Sequence, residues 1–329
     1  MGKMQFAAEE VVVTTIVENY YDALILDTPG IKRRRHIVHA MKHSNMDKQV
    51  MAEAGLSLLV DIIYPGQNYR IMFDAGSNPT VLMNNMAALD IDPKSIDHCV
   101  ISHAHPDHVY GLTEVAKARG DIPLPVLIHP DAFLPRYICT PFGWIVPAFT
   151  MFFNKKANEE AGVYFVESSD PFPVGPATTT TGKIPFSEKV PFEPPGTPHP
   201  TSIRQVKDGK FIEDHTEDDS ALVVNLQGKG LVIITGCAHA GVINTILRAQ
   251  ELTGVKEIYA VIGGFHLGFP ESPSENIPKT IEALKEFNPT IVCPMHCSGF
   301  KFNAAISQAM PKEFVLSVVG TEMTLPIPE

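Results

Sequence analysis

The sequence predicts an α/β protein built as a four-layer αββα sandwich, in which two β-sheets pack face to face and helices cover both outer faces. Apolar, β-branched segments alternate with helix-like segments through much of the chain. Four of the apolar segments end in a loop that carries histidine, at residues 103, 239, 266 and 296. Strand ends that converge on one edge of a sandwich would bring these four loops together to build a site.

Length and charge limit the number of domains and the kinds of partner that this chain can have. The chain has 329 residues, of which 44% are hydrophobic and 19% charged, and we expect one domain over 1–329 with an N-terminal elaboration near 28–50. The formal net charge of −11 argues against nucleic-acid and membrane partners, because both favour a basic surface. The five cysteines show no paired framework and the N-terminus lacks an apolar signal segment, so we expect a cytoplasmic protein.

The N-terminal half predicts a strand, a basic segment, a hairpin and a strand that leads into the first histidine loop. β-Branched residues from position 11 predict a first strand that ends in a loop near Glu18. The basic run 32–36 is predicted to be a solvated face, with a rim that attracts anions as the alternative. The other predicted elements are a hairpin of strands 55–63 and 69–73, a helix at 79–89, a strand at 96–101, a helix at 111–119 and a strand at 126–128.

Residues 133–200 are predicted to form an irregular cover over the sandwich. The segment is rich in proline, which interrupts regular helices. Its aromatic residues at 149–153 are candidates for a substrate wall or for a contact between subunits, so a homo-oligomer is left open.

The second half of the chain predicts alternating strands and helices. Strands are predicted at 221–225, 230–235, 258–262, 290–293 and 314–319, and helices at 242–252 and 279–286.

The segment 103–108, with the sequence HAHPDH, concentrates four metal ligands directly after an apolar strand. His103 and His105 are two residues apart on an extended segment and therefore point the same way, whereas Asp107 and His108 can turn toward a second position. Imidazole nitrogens and a carboxylate oxygen suit Zn²⁺, with Mn²⁺ and Fe²⁺ as alternatives. A histidine-rich surface loop is the simpler interpretation, but the density of ligands after a buried strand disfavours it.

The H-x-H-x-D-H motif resembles that of the metallo-β-lactamase superfamily. Within it, G-C-x-H-A-G at 236–241 resembles the branch often labelled 7,8-dihydropterin-6-yl-methyl-4-(β-D-ribofuranosyl)aminobenzene 5′-phosphate synthase. The resemblance implies two divalent metal ions, one held by His103 and His105 and the other by Asp107 and His108. It also implies that Asp74, in Asp-Ala-Gly after the hairpin, lies behind the site and contributes to catalysis by orienting a ligand.

Two further ligands are predicted at His239, in G-C-x-H-A-G, and at His296, in P-x-H-C-x-G. Three alternatives stay open. Cys237 stands where many relatives carry an aspartate, although a cysteine after a buried strand is more often a small apolar residue. His215 lies in a segment that supplies a ligand in other branches, and His266 either competes with His296 or binds substrate.

A metal pair with an open position predicts hydrolysis by a metal-activated water, with Asp107 as a ligand and proton acceptor. We expect a small-molecule substrate with an ester, thioester, amide or phosphodiester bond. The branch label adds the expectation of a phosphorylated, pterin-like molecule. A di-iron redox protein of the same fold and a metal-binding sensor without turnover are the alternatives.

Overall fold

The computed structural model describes residues 6–34, 49–140, 142–148, 153–193, 202–268 and 275–328. These residues form two large sheets, a smaller third sheet and seven helices. The helices are α1 (Pro79–Ala88), α2 (Pro106–Val109), α3 (Leu112–Ala118), α4 (Lys155–Glu160), α5 (Val242–Thr253), α6 (Asn276–Phe287) and α7 (Gly299–Ala309). None of the helices in the described ranges is long and apolar enough to span a bilayer.

The first sheet has eight strands and changes from antiparallel to parallel pairing after β4. The strands in spatial order are β2 (Ile31–Arg33), β18 (Thr321–Leu325), β1 (Glu10–Val17), β3 (Ser57–Tyr64), β4 (Gln67–Phe73), β5 (His98–Val100), β6 (Leu124–Ile128) and β9 (Val163–Glu167). The loop that carries His103 follows β5, in the parallel half of the sheet.

The second sheet has six strands, and its last three are parallel. The strands in spatial order are β10 (Pro173–Gly175), β11 (Thr178–Thr180), β14 (Ala221–Leu226), β15 (Gly230–Thr235), β16 (Ile258–Gly264) and β17 (Ile291–Met295). Because β15, β16 and β17 run parallel, the loops that carry His239, His266 and His296 leave the sheet at the same edge.

Three hydrophobic clusters define the layers. One lies between the sheets and joins Leu58 and Ile62 of β3 to Ile234 of β15. The second packs the first sheet on α1 and α3, and the third packs the second sheet on α5, α6 and α7. Residues 57–60 of β3 are buried on both faces of the strand, as expected for a sheet covered on both sides. The predicted αββα sandwich is therefore confirmed.

The predicted irregular cover is wrong in its main feature. Residues 133–193 supply β9 to the first sheet, β10 and β11 to the second, and the helix α4. They also supply β7 (Arg136–Cys139) and β8 (Ile145–Ala148), which pair with β12 (Ser202–Lys207) and β13 (Lys210–Glu213) in the third sheet. Proline is tolerated here because the strands are short and several lie at sheet edges. Residues 149–152 and 194–200, including most of the predicted aromatic wall, lie outside the described residues, and Phe153 is buried.

The predicted last strand is also wrong. Residues 314–319 make one isolated bridge, between Phe314 and Val292, and the last strand is β18. The segment crosses from one sheet to the other, because Val315 N donates to Val292 O of β17, whereas Val319 N donates to Tyr20 O, just beyond β1. Its hydrogen bonds are therefore divided between the sheets instead of forming one ladder.

The basic run 32–36 is not uniformly solvated where it is described. Lys32 and Arg34 lie 3.7 Å from the carboxylate of Glu322, and Arg33 is buried and donates to Thr321 Oγ1. Residues 35–48, which include the rest of the run and most of the predicted N-terminal elaboration, lie outside the described residues.

Gly111, directly before α3, packs closely against Ala75 and against Leu82 of α1. A Cβ at this position would lie 2.2 Å from Ala75 O and 2.3 Å from Leu82 Cδ2. We expect Gly111→Ala to lower the free energy of unfolding by about 1–3 kcal/mol through overpacking. The matched control is Gly175→Ala, where the nearest atom is 3.4 Å away. Equal urea midpoints for the two variants would contradict this packing.

Candidate metal centre

The first histidine loop leaves β5 and turns at once into α2. Pro106 occupies the first helical position, where proline costs no hydrogen bond, and His105 immediately precedes the helix. Asp107 and His108 lie in its first turn. This turn brings the ring of His103, which precedes the helix, and the ring of His108, within the helix, to a centroid distance of 4.1 Å.

The first set of donors consists of His103, His105 and His239. Their ligand nitrogens lie within 4.8 Å of one another, and His103 Nε2 is 3.2 Å from His239 Nε2. Burial lowers the pKa of His105 to about 3 and holds the pKa values of His103 and His239 well below the usual range. Neutral imidazoles keep a lone pair for a metal, so three of them facing one point fit a divalent cation.

The second set consists of Asp107, His108 and His296, again with ligand atoms within 4.8 Å of one another. His296 Nε2 is 3.2 Å from Asp107 Oδ2. Burial alone would lower the pKa of His296, but the hydrogen bond to Asp107 and the charges of Cys297, Asp107 and Glu18 raise it to about 9. The proton between these two side chains is one that a cation would replace, because metal ligands must be deprotonated.

Asp74 lies behind the second set and is fully buried. Its Oδ1 accepts from Ser102 N and its Oδ2 from Ser102 Oγ, each at 2.7 Å, and Oδ2 is also 2.7 Å from His108 Nδ1. A proton on His108 Nδ1 completes this contact and leaves Nε2 as the ligand atom. Asp74 is separated from the pocket by His108, so we describe it as a positioning residue and not as one that touches the reacting atoms.

Two residues after β1 hold His296 in place and were missed as site residues in the sequence. His296 N donates to both carboxylate oxygens of Glu18 at 3.0 Å, and Asn19 Nδ2 donates to His296 O at 2.9 Å. These contacts fix a backbone with a φ of 49°, which is uncommon for a residue with a side chain. Burial raises the pKa of Glu18 to about 7. An acidic residue directly after an apolar strand was the available signal.

Arg136 at the start of β7 was also missed. Its guanidinium is buried and donates to Asp214 Oδ2 at 2.7 Å and to Asp218 Oδ1 at 2.5 Å. The other oxygen of Asp218 accepts from the backbone N–H of Ala104, between the first two histidines of the motif. The buried ion pair therefore positions the loop through its backbone.

The structure distinguishes the three alternative ligand residues that the sequence left open, Cys237, His215 and His266. Cys237 and His266 join His239 in a group whose ligand atoms lie within 4.8 Å of one another. His215 is exposed and belongs to none of the ligand groups found in the described ranges. His239, in contrast, lies in the group with His103 and His105.

All six predicted ligand residues therefore meet in two adjacent sets, and their donor types fit divalent cations such as Zn²⁺. A model of the metallo-beta-lactamase superfamily matches residues 51–296. The chain belongs to this superfamily. It is 31% identical over 275 residues to the 7,8-dihydropterin-6-methyl-4-(beta-D-ribofuranosyl)-aminobenzene-5'-phosphate synthase of Methanocaldococcus jannaschii, covering 84% of this chain and 91% of the relative.

Two solved structures support the superfamily fold. Tm1679, described as a metal-dependent hydrolase of the β-lactamase superfamily, has a TM-score of 0.69 and 21% identity, and the match covers 97% of this chain and 100% of that chain. The metallo-β-lactamase fold protein YhfI from Bacillus subtilis has a TM-score of 0.52 and 14% identity, with 96% and 99% covered. The resemblance predicted from H-x-H-x-D-H is thus confirmed for the family and the fold.

The buried Arg136 network gives a prediction about the stability of this superfamily member. Replacing Arg136 with Met would leave Asp214 and Asp218 buried without their cation, so we expect a loss of about 3–5 kcal/mol in the free energy of unfolding. The control is Arg70→Met, which removes a partly exposed pair with Asp61 and should cost about 1 kcal/mol or less. Urea unfolding of both variants makes the comparison, and similar losses would contradict the structural role of Arg136.

Proposed function

We propose that this chain is a metal-dependent hydrolase that uses two divalent ions, Zn²⁺ in preference to Mn²⁺ or Fe²⁺, to cleave an ester or phosphodiester bond in a small molecule. The observation that supports this proposal is the adjacency of the two donor sets, His103–His105–His239 and Asp107–His108–His296, with the rings of His103 and His108 4.1 Å apart. Bound ions of this kind would lower the pKa of a ligated water and polarise the bond under attack.

The side chains of the second donor set differ in how far they are exposed to solvent. The side chain of Asp107 is 34% exposed, whereas those of His108 and His296 are 0% and 5% exposed. Within the second donor set, Asp107 is therefore the ligand most accessible to solvent. Its carboxylate is placed to accept a proton from an attacking water, and no serine nucleophile is needed.

Ser102 has a structural role in this mechanism. Its hydroxyl is fully buried and is engaged by Asp74 Oδ2 at 2.7 Å and His103 Nδ1 at 2.9 Å. Because Asp74 Oδ2 also contacts His108 Nδ1, Ser102 couples the orientation of His103 to that of His108.

The proposed substrate is a phosphorylated molecule with an aromatic, pterin-like part. This finer proposal rests on the similarity to the relative named as a dihydropterin-linked 5'-phosphate synthase. The same similarity favours a second candidate, a synthase reaction on such a substrate. Assays that follow both bond cleavage and condensation of a dihydropterin separate the two. A cytoplasmic location is part of the proposal, because the described cysteines are all free and would persist as thiols in a reducing compartment.

His239 and His215 provide a matched pair for testing metal-dependent turnover. Loss of a residue that only supports a ligand costs about 10–100-fold in metal affinity or activity, so we expect His239→Ala to lower kcat/KM by at least about 100-fold. The exposed His215→Ala should leave kcat/KM unchanged. The assay is a panel of phosphodiester, lactone and thioester substrates with added Zn²⁺, Mn²⁺ or Fe²⁺, together with metal analysis.

Three outcomes would contradict the proposal. Turnover that survives in His239→Ala would exclude catalysis at this centre. Tightly bound iron with reversible redox chemistry and no hydrolysis would favour the di-iron alternative. Stable metal binding without turnover of any substrate in the panel would favour a sensor.

A further inference from the structure

Cys237 lies between the two donor sets and has no role in the six-ligand arrangement. It forms one group with His103 and His108 and another with His296 and Cys297, and in each group the ligand atoms lie within 4.8 Å of one another. A third group joins Cys237 to His239 and His266. Its sulfur is thus close to ligands of both sets.

The backbone around Cys237 is built to direct two consecutive donors into the cluster. Gly236 follows the last residue of β15, and a Cβ at this position would lie 2.0 Å from Ser102 Oγ. Ala238 has a φ of 54°, a left-handed conformation that costs free energy for a residue with a side chain. The turn brings Cys237 Sγ to 3.2 Å from His108 Nε2 and His239 Nε2 to 3.2 Å from His103 Nε2.

A buried cysteine is often only a small apolar side chain. Cys99 and Cys293 fit that description, because each is fully buried in a strand and belongs to a hydrophobic cluster. Cys237 is equally buried but belongs to none of the three hydrophobic clusters of described residues. Asp107 is the sole carboxylate in the ligand groups of the described ranges, so a thiolate at Cys237 would add a second anionic ligand for two divalent ions.

We propose that Cys237 is a ligand shared by the two metal ions, its thiolate taking the central position between the donor sets, with Cys297 and His266 as the residues that flank its sulfur. The inference rests on the proposed metal-dependent function. On metal binding the Cys237 S–H bond breaks, the proton leaves to solvent and the sulfur keeps the electron pair for the ions. A thiolate here favours Zn²⁺, Co²⁺ or Cd²⁺ over Mn²⁺ or Mg²⁺.

The test is the absorption spectrum of the full chain loaded with Co²⁺ in place of the native ions. We expect a sulfur-to-cobalt charge-transfer band in the near ultraviolet in the wild type. The band should be lost in Cys237→Ser and Cys237→Asp and kept in the control Cys293→Ser. Zn²⁺ affinity should fall about 10–100-fold in Cys237→Ser, and Cys237→Asp should recover part of that loss because its carboxylate restores an anionic ligand.

Wild-type X-ray absorption at the zinc edge gives a readout that needs no variant, and a zinc–sulfur shell at about 2.3 Å is the expected result. Absence of that shell, or a charge-transfer band that persists in Cys237→Ser, would overturn the role of Cys237. A band lost only in Cys297→Ser would overturn it by assigning the sulfur ligand to Cys297. If the wild type binds Co²⁺ but shows no charge-transfer band, the role of Cys237 is contradicted and the proposed function is not. If the wild type binds neither Co²⁺ nor Zn²⁺, the proposed function is contradicted as well.

Discussion

The site depends on the close approach of one glycine to one buried carboxylate. Gly236 at the end of β15 faces Asp74 and Ser102 of the first sheet, and a Cβ there would lie 2.5 Å from Ser102 Cβ and 3.0 Å from Asp74 Oδ2. Only glycine allows the two sheets to meet at this distance. On one side of the contact Asp74 orients His108, and on the other the chain continues into Cys237 and His239. The halves of the centre are therefore placed relative to each other by the same contact.

Buried negative charge surrounds the two donor sets. Glu18, Asp74, Asp218 and Asp219 are all buried near the histidines, and Arg136 compensates only part of their charge. Asp219 Oδ1 has no hydrogen-bond partner within the described ranges, and burial raises the pKa of Asp219 well above its usual value. Ionising such buried carboxyls without a counter-ion is costly, so divalent ions bound at the centre would stabilise their charged form and with it the native state.

The sequence predicted which candidate ligands would come together better than it predicted the peripheral strands, for a physical reason. His103, His105, Asp107 and His108 are close in sequence, and the strand before them fixes their direction, so a local pattern was enough. Contacts between distant segments carry no such local signal. Arg136 pairs with residues 78 and 82 positions away, and His296 bonds to Glu18 278 positions away. The strand predicted at 314–319 was wrong for the same reason. Its apolar residues cross from one sheet to the other and do not form a ladder with one neighbouring strand.

The third sheet is connected by hydrogen bonds to the loop that carries His103 and His105. Arg136 of β7 holds Asp218, and Asp218 holds the N–H of Ala104, so any displacement of β7 acts on the backbone between His103 and His105. Beyond this ion pair, apolar side chains are exposed at Ile145 (59%) of the edge strand β8 and at Trp144 (70%), the residue before it. A ligand that packed on those side chains would bear on the same sheet that restrains the first metal ligands. The buried, hydrogen-bonded ion pair of Arg136 and Asp218 is therefore the link between the third sheet and the backbone that carries His103 and His105.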